Sequence, residues 1–122
     1  MKGFGQKNKS QIKKINKLNN KLSKQETIHR ALKLHSKGKI KEAAIYYQYF
    51  INQGFQDGNV FSNYAVILRS LKKFKEAEKF LRKAIDIDPN FAMAYSNLGN
   101  TLYDLGKLKE AEKFLRKAID ID

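Results

Sequence analysis

From residue 24 onward, apolar residues recur at intervals of three and four, the signature of helices that each bury one face. One stripe runs Tyr95, Leu98, Gly99, Leu102; after a break at Gly106 and Lys107 a second runs Leu108, Ala111, Leu115, Ala118, Ile119. An earlier pair has the same spacing: Phe61, Tyr64, Ala65, Leu68, then Phe74, Ala77, Leu81, Ala84, Ile85. Pro89 closes that pair, because proline cannot continue a helix but suits the first turn of the next one. Ser23 and Glu26 have the spacing of a capping box, so the first helix is expected to begin near Lys24. Each stripe predicts a helix of about 12–14 residues, roughly 20 Å long. Short breaks between successive helices make them antiparallel neighbours, and the expected fold is all-α.

The pattern is also periodic on a longer scale. The 14 residues Lys75–Asp88 recur unchanged as Lys109–Asp122, a period of 34. One period earlier, Lys41, Glu42 and Ala43 repeat the opening triplet. The chain therefore divides into contiguous units 24–57, 58–91 and 92–122, each a pair of helices, behind a segment 1–23.

The columns of these units resemble the tetratricopeptide repeat (TPR). The third unit matches that pattern with Tyr95, Leu98, Gly99, Leu102, Ala111, Leu115 and Ala118, and the second with Phe61, Tyr64, Ala65, Leu68, Ala77, Leu81, Ala84 and Pro89. The first unit is a degenerate copy, with Thr27, Arg30, Ala31, Leu34, Ala43, Tyr47, Phe50 and Phe55 in those columns. The resemblance implies an α-solenoid of antiparallel helix pairs, in which Gly99 or Ala65 faces Ala111 or Ala77 where two helices cross closely. It also implies that each second helix is covered by the first helix of the following unit. The third unit lacks a counterpart of Pro89 and Asn90 and a capping helix. The chain is thus expected to be a fragment of a longer array, or to self-associate through Phe114, Leu115 and Ile119.

Charge changes the picture at one end only. The formal net charge is +13, and residues 1–24 hold eight lysines with no acidic residue. With few apolar residues and strong lysine repulsion, residues 1–23 read as a disordered basic tail. Such a tail is expected to be a solubilising extension, and the alternative is a tether to nucleic acid or an anionic surface. Lacking both a secretory apolar stretch and a membrane-spanning run, the chain is expected to be cytoplasmic.

Catalytic and metal chemistry is not expected. Cysteine is absent, which excludes thiolate zinc sites and a cysteine nucleophile. His29 and His35 stand six residues apart, about 240° around a helix, so they do not share a metal-binding face. No phosphate loop or nucleophile motif is present, and no cofactor is expected.

What remains is recognition. The resemblance implies a protein–protein interaction scaffold that binds extended peptides along a groove lined by the first helices. The groove residues it implies are Asn59, Ser62, Asn63, Val66 and Arg69, then Met93, Ser96, Asn97, Asn100 and Tyr103. One family mode, a clamp on acidic peptide C-termini, needs Lys and Asn, then Asn, then Lys and Arg in five columns. Here those columns hold Ile28, Leu32, Asn63, Met93 and Asn97, a single match that disfavours the clamp. Asn63 and Asn97 instead share a column and resemble the asparagine ladder with which some arrays hold a peptide backbone, each amide both donating and accepting. The alternative is a substrate-recognition region at the N-terminus of a longer transferase.

Overall fold

The computed structural model describes residues 9–10, 12–13 and 22–121. These hold six helices, α1 (Lys24–Ser36), α2 (Ile40–Asn52), α3 (Gly58–Ser70), α4 (Phe74–Ile87), α5 (Ala92–Asp104) and α6 (Leu108–Ile121), and no strand among the described residues. They form two compact units, residues 1–56 and 57–122.

In the first unit, α1 starts where its capping box predicts. Ser23 Oγ accepts from the Glu26 N–H at 3.1 Å, and Glu26 Oε1 accepts from the Ser23 N–H at 3.4 Å, so two backbone donors find partners. α2 packs back along α1. Thr27, Ala31, Ala43, Tyr47 and Phe50, all columns of the repeat, are buried between them. The buried Tyr47 hydroxyl lies 2.8 Å from His35 Nδ1, which gives that oxygen a polar partner inside an apolar core.

The basic segment expected to be disordered lies mostly outside the described residues, which omit 1–8, 11 and 14–21. Of the described ones, Lys9, Ser10, Ile12 and Lys13 are helical. Ile12 and Leu22 are buried with Tyr49, beside Ile45 and Tyr46. The Leu22 N–H donates to the Tyr49 hydroxyl at 3.0 Å. Ile45 and Tyr49 stand in columns where the later repeats carry Lys79, Lys83, Lys113 and Lys117. Two apolar residues in lysine columns are the sequence signal of this covered patch.

In the second unit, Asp57 caps α3 by accepting from the Val60 N–H at 2.9 Å. α3 pairs with α4 and α5 with α6, while α5 packs also on α4 and on α3. Helix α4 is therefore held between α3 and α5, the step from which a solenoid is built. Phe80 meets Phe61 and Tyr64 at centroid distances of 5.6 and 5.3 Å, and Tyr95 stacks on Phe114 at 6.1 Å. A Cβ on Gly99 would lie 2.6 Å from Leu115 Cγ and 3.2 Å from the Ala111 carbonyl oxygen. The close crossing implied by the repeat columns is present, and it requires a residue without a side chain. No described helix is long and apolar enough to cross a membrane.

The turns inside the three helix pairs share one backbone position. Gly38 and Gly106 there have φ of 77° and 78°, and Lys72 holds the same place with φ of 61°. It is the one non-glycine residue with positive φ among the described residues.

Candidate peptide-binding face

Within the second unit, α3 and α5 lie side by side. Each turns one stripe toward its second helix and leaves the opposite side open. On the open side Asn59, Val66, Arg69, Met93 and Tyr103 are exposed, and Asn63, Ser96, Asn97 and Asn100 are half-buried. Val66, Met93 and Tyr103 keep 45%, 59% and 65% of their surface accessible, so large apolar groups alternate with amides here.

Ser62 departs from its expected place. It is 1% exposed, and its hydroxyl accepts from Asn97 Nδ2 at 3.1 Å. This oxygen joins α3 to α5 and is not presented to a ligand. The same bond engages one end of the Asn97 amide and leaves its oxygen free to accept. No described residue hydrogen-bonds the Asn63 amide, so both its ends remain available.

Electrostatically the face is bare. α3 and α5 carry two charged side chains, Arg69 and Asp104, and these pair with one another across the two helices. By contrast α4 and α6 carry seven charged residues each. A cleft of about 430 Å³ opens beside the Arg69–Asp104 pair, lined by Val66, Phe74, Leu81, Asn97 and Thr101 among others. Its walls are largely apolar, and its polar lining is the Asn97 amide, the Ser70 and Thr101 hydroxyls, the Arg69–Asp104 pair and Lys72 from the turn after α3.

Neither the Asn97–Ser62 bond nor the Arg69–Asp104 pair was anticipated from the sequence. Both join residues 35 apart, one more than the repeat period. Residues on equivalent helices, offset by one place, are therefore the pairs in which complementary chemistry has to be sought. Among the described residues no group of three His, Cys, Asp or Glu side chains is placed to hold a metal ion.

The family model for the tetratricopeptide repeat matches residues 57–122. The chain belongs to the tetratricopeptide repeat family. Solved TPR structures resemble it over most of its length. The second TPR of Spaghetti (RPAP3), bound to the HSP90 peptide SRMEEVD, is 26% identical with a TM-score of 0.74, covering 81% of this chain and 89% of that one. The first TPR of the same protein, bound to the same peptide, is 25% identical with a TM-score of 0.73, covering 83% and 82%. A MamA mutant shares the fold at 21% identity and a TM-score of 0.71, covering 79% and 70%. No curated protein matches the sequence. As a TPR protein the chain is an all-α protein-interaction scaffold, a class whose members are in general not enzymes.

Proposed function

We propose that the open face of α3 and α5 binds an extended peptide that is uncharged where it crosses this face. The observation that carries the reading is the pairing of charge scarcity with free amides. Asn63, Asn100 and the oxygen of Asn97 can satisfy a peptide backbone, while Val66, Met93 and Tyr103 offer contact to apolar side chains. Support for peptide binding as such comes from the Spaghetti TPRs, which hold an HSP90 peptide. That ligand, SRMEEVD, is acidic, whereas the face described here has no unpaired cation from α3 or α5 to receive a carboxylate. The partner differs in charge.

A displayed peptide library selected against the chain tests this directly. Enriched peptides should be uncharged and apolar over four to six consecutive residues. SRMEEVD should bind more weakly than they do. Asn63→Ala should weaken a selected peptide by about 2- to 13-fold, the loss of roughly 0.5–1.5 kcal/mol for one neutral hydrogen bond, without changing the melting temperature. Asn97→Ala should cost binding and also about 1 kcal/mol of stability, because the buried Ser62 hydroxyl loses its donor. Enrichment of acidic peptides, or unchanged affinity in both variants, would reject the reading.

A further inference from the structure

The cleft beside the Arg69–Asp104 pair, at about 430 Å³, falls in the range of roughly 300–1,000 Å³ typical of ligand sites. Small side chains, Ala65 and Ser70 of α3 and Thr101 of α5, share its lining with Phe74 and Leu81 of α4. Its polar groups are matched within the protein. Arg69 pairs with Asp104, and Asn97 donates to Ser62. Ser70 Oγ donates to the Ile67 carbonyl at 2.6 Å, and Thr101 Oγ1 to the Asn97 carbonyl at 2.8 Å. The exception is Lys72, which is exposed and whose ammonium has no partner among the described residues. Arg69 cancels Asp104, so the charge left over in the lining is one cation.

Lys72 also strains the backbone. In all three helix pairs the turn is closed by the same bond: the N–H of Gly38, Lys72 or Gly106 donates to the carbonyl three residues earlier, at 3.0, 2.9 and 2.9 Å. Lys72 adopts there, with φ of 61°, the left-handed conformation that favours glycine. Strain of this kind collects at ligand-binding positions, where a particular side chain is worth holding. The result is an unpartnered cation with a fixed point of attachment beside an apolar cleft.

We propose that this cleft is a side-chain pocket for the bound peptide. One large apolar residue of the peptide fills it, and an Asp or Glu one or two residues away pairs with Lys72. Charge complementarity selects that neighbour: a basic residue would meet an uncancelled cation, and an uncharged one would leave it unused. The pocket presupposes the peptide reading above and specifies its sequence. The segment over α3 and α5 stays uncharged, and a single acid lies beside it, over the turn after α3. A carboxylate side chain suffices, so the peptide need not end there.

The probe is a library-selected peptide, fluorescein-labelled and amidated at its C-terminus. It is made with Glu or with Gln next to its apolar core, on each side in turn, and titrated into the full chain by anisotropy. On one side the Glu form should bind about 2- to 5-fold tighter at about 0.05 M salt, as expected for an exposed ion pair, and lose that advantage at about 0.5 M. Lys72→Gly keeps the backbone bond and installs the residue of the two equivalent turns, so the fold is kept and the two forms should bind equally. Lys72→Glu should instead prefer a peptide with Lys at that place. Ser70→Trp changes an exposed residue, fills the cleft and should weaken both forms about tenfold or more. Asn63→Ala should weaken both and leave their ratio unchanged. A wild-type chain that does not distinguish Glu from Gln, a preference that survives Lys72→Gly, or full affinity in Ser70→Trp overturns the pocket while the peptide reading stands. Failure to select any peptide rejects both.

Discussion

Lys72 is a lysine doing a glycine's task. In a left-handed conformation the side chain of an L-residue crowds the backbone and costs about 1–2 kcal/mol, which Gly38 and Gly106 avoid at the equivalent turns. Glycine loses more entropy on folding, which offsets roughly 0.5–1 kcal/mol of that relief. Lys72→Gly should therefore stabilise the second unit by a net of about 0.5–1 kcal/mol. The urea midpoint should rise by a few tenths molar with an unchanged slope. A midpoint that falls would show that Lys72 makes a compensating contact. The turn itself was legible at Gly106, where the stripe breaks, but nothing in the residue type at Lys72 announces positive φ. Only the 34-residue register, which puts lysine beneath two glycines, reveals it.

At the level of helices, identical sequence does not bring identical energetics. Leu81→Ala empties a site that is almost fully buried and should cost about 2–5 kcal/mol. Leu115→Ala alters the same residue in the same local sequence, but water already reaches part of it, so about 1–2 kcal/mol is expected. Chemical denaturation of the two variants gives the comparison, and equal losses would mean that α6 is covered in solution. This contrast also marks how far the sequence could be read. The start of α1, its capping box and most of the inward stripes follow from 3.6-residue periodicity and local capping chemistry, and they appear in the structure at the expected residues, whereas Leu108 and Ile119 of the last stripe stay exposed. Ser62 escaped because it lies off the stripe that faces its own partner helix. Its burial comes from α5, a neighbour one repeat away, and no single helix encodes that contact. The groove residues were inferred from columns alone, so positions shared between a ligand face and an inter-repeat contact could not be separated.

Across the second unit, charge is sorted by layer. Fourteen charged residues ride on α4 and α6, and the two on α3 and α5 cancel each other. Binding of an uncharged peptide to the α3/α5 face should therefore be almost indifferent to ionic strength. Less than a twofold change in affinity is expected between about 0.05 and 0.5 M salt, a range over which screening shortens from beyond 10 Å to a few Å. Isothermal titration at both concentrations measures it. A steep decline would mean that the basic residues elsewhere on the chain contribute to the complex.

The sameness of α4 and α6 bears on how such a chain changes in length. Suppose an in-frame duplication of the gene segment encoding residues 89–122 were inserted directly after the first copy. The new first helix would meet on α6 the surface that α5 already meets on α4, with Leu108 in place of Phe74 and Glu112 in place of the Glu78 that Lys107 reaches. No new interface would need to be selected before the longer protein could fold. Exact internal copies thus leave the number of repeats open to recombination, with each added unit fitting on arrival.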